Sequence, residues 1–348
     1  MDRRYWLLLL TLGAIWGASY LFIKIGLRDM SPSMVAFVRV ALAALVLLPI
    51  AWAQGALTGL GERLWALALV GAIQVAGPFF LIGAGEEEIS SSLAGILVTS
   101  APLFTALLAI WVDHEERSQG LRLVGVLLGV VGVGVLLGLD LGGSGNELLG
   151  GLAVVLASLG YAVGGLLVKH RLADVPPIGV AAWVMVASTV LLAPVALLTL
   201  PGAAPGLGPV AAVTALGVLG TGIAFMIFYD LIASIGPARA FVVTYLAPGF
   251  AVVYGATLLD ETITIATVTG LALILAGSWL AAEGRLPGWL RRGRGRAEPD
   301  FTGRLGPAPA PAPAGNAPGP VDRTGPPAGP VPARGRSPRP TRTAREDD

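Results

Sequence analysis

Cysteine is absent from the 348 residues, and histidine occurs only at His114 and His170. Without thiols there is no disulfide, no thiolate metal site and no cysteine nucleophile, and two histidines at the ends of apolar runs are too few for an imidazole-built metal centre. Charge is scarce too. Only 13% of residues are charged against 55% hydrophobic, far from the mix of a soluble domain, so the chain reads as a polytopic membrane protein. The net charge of +1 decides little, because in such a protein the placement of charge matters and its sum does not. No carboxylate is expected deep in a span: Asp113, Glu115, Asp140, Asp230, Asp260 and Glu261 fall at run ends, and Glu86-Glu87-Glu88 reads as a solvated connection able to gather cations. The embedded acid that proton-driven antiporters usually employ is therefore missing. No Lys-Ser or Lys-Thr closes a glycine-rich stretch, and no Ser-His-Asp or paired-carboxylate set occurs, so neither a phosphate loop nor an intramembrane enzyme is implied. The reading has no enzyme activity, cofactor, metal or nucleic-acid partner. Its partners are the lipid bilayer and a small-molecule substrate, with the oligomeric state open and a monomer allowed.

What is present is a series of apolar runs of spanning length, at about 5–26 (α1), 33–53 (α2), 64–84 (α3), 91–112 (α4), 121–139 (α5), 148–169 (α6), 178–200 (α7), 210–232 (α8), 239–259 (α9) and 264–282 (α10). The fold class is thus all-α, with ten transmembrane helices. The first run follows Asp2-Arg3-Arg4 but is too long for a signal peptide, so it reads as a retained helix. Turn residues mark short connections at Ser31-Pro32-Ser33, Pro176-Pro177 and Pro201-Gly202. Arg3, Arg4, Arg63, Arg117, Arg122, Lys169, Arg171, Arg239 and the arginines from Arg285 to Arg296 fall on one side, with only Lys24 and Arg28 on the other. The positive-inside bias then places both termini in the cytoplasm. Beyond Arg291 the chain turns into proline, alanine, glycine and arginine without periodicity, which reads as a disordered basic tail.

The spans repeat. Ser91 to Glu116 and Gly236 to Thr262 share a layout in which an alanine (Ala94, Ala240) is followed by Ala-Pro (Ala101-Pro102, Ala247-Pro248) and then by an acidic end. Pro102 lies thirteen residues before Glu115, as Pro248 does before Glu261. At about 1.5 Å per residue each proline sits roughly 20 Å from its acidic end, near the bilayer midplane. A proline there frees a carbonyl and bends the helix, which a bilayer tolerates only where protein or water receives the backbone. Matching breaks predict a substrate path; ordinary kinked packing helices are the plainer reading. The duplication extends to Trp16–Leu27 on Tyr161–Leu172, Gly77 and Phe80 on Gly222 and Phe225, and Gly125 and Gly132 on Gly270 and Gly277. Five helices per copy is odd, so the second copy enters from the opposite face and the repeats are inverted. The expected organisation is 1–140 for the first repeat, 141–284 for the second and 285–348 for the tail.

Several residues are candidates for the substrate pathway. Arg39 lies in the first turns of α2, where it either serves function or snorkels to the interface. Gln74, Thr99, Thr221 and Tyr245 need hydrogen-bond partners inside apolar spans, and Thr99 and Tyr245 each precede a proline by three residues. Trp16, Tyr20, Tyr161, Phe80 and Phe225 are candidates for an aromatic cavity wall, with plain packing as the alternative. Glu115 and Glu261 complete the set as helix-end acids.

AIWGASYLFIKIGL in α1, AFVRVALAALVL in α2 and the Ala-Pro helices ending in Glu together resemble the EamA family of the drug/metabolite transporter superfamily, over about residues 5 to 283. The resemblance implies an inner-membrane carrier with two inverted five-helix repeats about a central cavity, exporting amino acids, related metabolites or toxic compounds. It also puts Trp16, Arg39, Pro102, Glu115, Pro248 and Glu261 at motif positions. Glu86-Glu87-Glu88 departs from the family pattern, and α1 lacks the glutamate of the small multidrug exporters. The expectation is a secondary transporter exporting amino acids or related small metabolites. The alternatives are a drug or nucleotide-sugar carrier of the same fold and a non-transporting scaffold or sensor.

Overall fold

The computed structural model describes residues 2–112, 120–140 and 145–283. Every regular element among them is helical. Eight helical segments are long and apolar enough to cross a membrane, and two shorter apolar helices bring the described set to ten. α1 is Arg3–Gly26, α2 Pro32–Ala53, α3 Gly61–Glu88, α6 Gly145–Arg171, α7 Pro177–Leu198 and α8 Leu207–Ile235. α4 comprises Ser91–Val98 and Ala101–Val112, α5 is Leu121–Val135 extended by Leu136–Asp140, α9 comprises Pro237–Ala240 and Val243–Leu258, and α10 is Ile265–Glu283. Glu115 lies outside the described residues, as does the tail.

Local chemistry fixes the helix starts. The Ser31 hydroxyl accepts from the Met34 N–H at 3.2 Å, with Pro32 in the first turn, where its missing N–H leaves no donor stranded. Ser90 caps α4 in the same way through the Leu93 N–H at 3.2 Å. Once the helices are in lipid, burial of apolar surface no longer drives them together, and close backbone approach at small residues does. A Cβ on Gly17 of α1 would lie 2.7 Å from the Ala247 carbonyl oxygen of α9, and one on Gly125 of α5 would lie 2.7 Å from that of Gly277 on α10. Neither contact admits a larger residue.

The neighbour relations repeat between the two halves of the sequence. α1 packs along α9 and α8, and its counterpart α6 packs along α4 and α3; α2 pairs with α7, and α5 with α10. Exchanging α1–α5 with α6–α10 leaves this set unchanged, as a two-fold relation between copies requires. Each copy also carries a π-helical bulge inside its third helix, at Gly71–Ala76 in α3 and Val218–Ile223 in α8.

The expectation of matching breaks needs correction. α4 is interrupted at Thr99-Ser100, just before Pro102, whereas α9 runs unbroken through Pro248 and its interruption falls earlier, at Phe241-Val242. Hydroxyl supply accounts for the difference. At the first break Ser100 Oγ donates to the Leu97 carbonyl at 2.7 Å and Thr99 Oγ1 to that of Ile96 at 2.5 Å. Ser158 on α6 reaches the Leu97 carbonyl at 3.2 Å and the Val98 carbonyl, freed by Pro102, at 3.4 Å, while Ser278 on α10 donates to that of Thr99 at 3.1 Å. In the second copy Tyr245-Leu246 replaces Thr99-Ser100, and the nearest such hydroxyl, on Thr244, donates to the Phe241 carbonyl at 2.7 Å, beside the observed break.

Candidate functional site

Arg39 is the centre of the polar interior. Its residue exposure is 8%, so it does not snorkel to the interface. Its guanidinium carbon lies over the Phe79 ring, 3.6 Å from the centroid, and its Nε donates to Thr221 Oγ1 at 2.9 Å. Thr221 is fully buried inside the α8 bulge and donates in turn to the Leu216 carbonyl at 3.1 Å. Gly217 brings α8 this close: a Cβ there would lie 2.9 Å from the Arg39 carbonyl oxygen. Gln74 holds the matching place in the α3 bulge, half-buried and backed against Gly164 of α6. Bulges of this kind widen a helix and turn side chains out of regular register, which is why they recur at functional positions.

Phe80 is 36% exposed, and its neighbour Phe79 is the ring beneath Arg39. Tyr20 and Tyr161 pack together with Ile82 and Val98. Trp16 does not join Tyr161. It meets Phe228 at 5.2 Å, at the head of an aromatic line along α8 that continues through Tyr229 to Phe225, with centroid separations of 6.1 and 5.9 Å. Tyr245 packs on Trp279 of α10 at 6.1 Å, next to the Ser278 that supports Thr99. Thr99 and Tyr245 thus meet the same helix, with the Thr99 hydroxyl turned back onto its own chain. Pro248 is buried and Pro102 half-buried.

The largest departure from expectation is the acidic triplet. Glu86-Glu87-Glu88 forms the last turn of α3 and not a connection; Glu87 and Glu88 are exposed as expected, but Glu86 is fully buried with neither carboxylate oxygen meeting a hydrogen-bond donor. Lys24 of α1 passes over this carboxylate and donates instead to the backbone carbonyls of Glu86 and, at 2.9 Å, of Ile89, capping the end of α3. Glu261 has a structural duty across from it. Its carboxylate accepts from the Ser91 N–H at 2.7 Å, the Ser92 N–H at 3.0 Å and the Ser92 hydroxyl at 2.5 Å, at the positive end of α4. Asp260, with φ 55, makes the left-handed turn that delivers it. Consecutive acids ordinarily signal a loop, so nothing along the chain hinted at the burial of Glu86; nor did any local pattern point to Phe79, Ser158 or Ser278. Among the described residues no cluster of histidines and acids could hold a metal.

The sequence profile of the EamA-like transporter family matches residues 4–138 and 148–282. An uncharacterized transporter of Synechocystis sp. is 28% identical over 292 residues, spanning 76% of this chain and 86% of its own. The uncharacterized inner membrane transporter YedA of Escherichia coli is 28% identical over 284 residues, 80% of this chain and 90% of its own. A protein of Streptantibioticus cattleyicolor named "Probable terminal-alkyne amino-acid exporter" is 27% identical over 285 residues, 80% of this chain and 93% of its own. A crystal structure matched over 81% of this chain and 99% of its own, at 24% identity and TM-score 0.58, shares the fold.

Proposed function

Since the chain belongs to the EamA-like transporter family, with one family match in each half, we propose that it is a secondary transporter exporting amino acids or related small metabolites by alternating access. The carrying observation is the exchange symmetry of the main packing pairs, in which α1 with α8 and α9 is matched by α6 with α3 and α4, while α2–α7 and α5–α10 map onto themselves. Two nearly equivalent halves are what alternating access requires, because exchange of their conformations turns an inward-facing protein into an outward-facing one. In this reading the copies are inverted, both termini are cytoplasmic, and substrate passes between α4 and α9, whose helices are interrupted at different depths. Polar and aromatic side chains of α1, α2, α3, α6 and α8 form its lining, with Arg39, Gln74, Thr221, Tyr20 and Tyr161 at its centre. The relative named as an amino-acid exporter favours that substrate class.

The test is counterflow in proteoliposomes. Vesicles holding the purified protein and loaded with unlabelled amino acids should take up the labelled amino acid transiently, well above protein-free vesicles. Folded protein that accelerates no amino acid would overturn the substrate class, and protein that accelerates no metabolite from cell extracts would overturn transport.

A further inference from the structure

The geometry points to Arg39 as the seat of a carboxylate on the transported molecule, so that the substrate is an anion or zwitterion bearing one; this deepens the transport reading and rests on it. Three observations carry it. Arg39 is more than nine-tenths buried, yet neither of its Nη groups meets an acceptor among the described residues. Its guanidinium is already oriented, with its carbon over Phe79 and the Nε edge on Thr221, leaving the end-on pair of Nη groups as a pre-set fork. A planar fork of this kind matches the two oxygens of a carboxylate. Among the described residues no carboxylate forms a hydrogen bond or ion pair with it: the oxygens of the buried Glu86 bond to nothing, and Glu261 is committed to the start of α4. The ion pair between Arg63 and Asp174 lies elsewhere. An oriented arginine in a membrane interior with no bonded counter-ion among the described residues is a cation that an anion from outside the chain can meet.

Binding to the purified full chain is read as a thermal shift with four probes sharing one side chain: phenylalanine, phenylalaninamide, phenethylamine and 3-phenylpropanoate, with the leucine and glutamate sets run alongside. The acids should bind at least about tenfold more tightly than the amide and amine, the value of one hydrogen bond to a charged group. Arg39→Gln should erase that preference and Arg39→Lys should retain part of it. Thr221→Val, which leaves the charge but frees the Nε edge, should weaken the acids and spare the amide. Amide and amine binding as well as the acids, or no preference in any set, overturns the proposal. Acid preference that survives in a folded Arg39→Gln protein overturns it also. If only non-amino carboxylates bind, and do so through Arg39, the amino-acid reading falls while this one stands; amino acids exported regardless of Arg39 give the converse.

Discussion

Removing the Glu261 carboxylate tests how the turn between α9 and α10 is fastened to α4. Three hydrogen bonds converge on this group, two from backbone N–H groups that the helix itself cannot satisfy and one from the Ser92 hydroxyl. Bonds to a charged acceptor are worth about 1.5–3 kcal/mol each, but these share one carboxylate and sit at a partly exposed end where water replaces some of the loss. Adding a modest helix-dipole contribution, Glu261→Ala should cost about 3–5 kcal/mol. At roughly 2–4 °C per kcal/mol for a chain of this order, the midpoint for loss of the monodisperse peak after heating in detergent should fall by about 6 °C or more. Glu261→Gln keeps a neutral acceptor and should lie between. Ser92→Ala removes only the hydroxyl contact and should cost about 1–2 kcal/mol. Because both substitutions break one contact, the double variant should be little worse than Glu261→Ala alone, with a coupling of about 1–2 kcal/mol. A midpoint unchanged within a degree in Glu261→Ala, or effects of the two substitutions that simply add, would refute the reasoning.

Glu86→Gln should cost no stability, because a buried ionised carboxylate without a donor is unfavourable and a protonated one has the size and shape of the amide; a midpoint lowered by more than about 5 °C in the same heating assay would show a bond that the geometry lacks. Pro102→Ala returns a donor to the Val98 carbonyl and should slow counterflow several-fold, whereas Pro248→Ala, in a helix already continuous, should have the smaller effect; the reverse order in matched proteoliposomes would move the functional break to α9. The cysteine-free background allows Ser118→Cys and Ser144→Cys to be probed with an impermeant thiol reagent on intact cells, where only the second should label. Labelling at position 118 alone would invert the topology.

Membrane spans and repeat were legible in the residues because each is a local or periodic property. An apolar run long enough to cross lipid leaves its backbone little choice but helix, and the shared Ala-Pro layout made the duplication visible before any contact was known. Arg39 and Thr221 could be singled out as polar groups in apolar spans, but not as a bonded pair, since 182 positions separate them.

Other features were decided only by tertiary structure. That Phe79 lies under Arg39 follows from the approach of α2 to α3, downstream of the π bulge of α3. Equivalent prolines do not produce equivalent breaks, because a break forms where hydroxyls can take the freed carbonyls, and for α4 two of those hydroxyls come from α6 and α10. Glu86 reads as part of a solvated acidic run until α3 continues through it and the surrounding helices close over its side chain. The sequence by itself determined where the chain is helical and that its two halves are alike, since both are properties of hydropathy and pattern along the chain. Which polar groups bond to one another and which stay without a partner was settled by the tertiary structure, because that depends on helices distant in sequence approaching within a hydrogen-bond length.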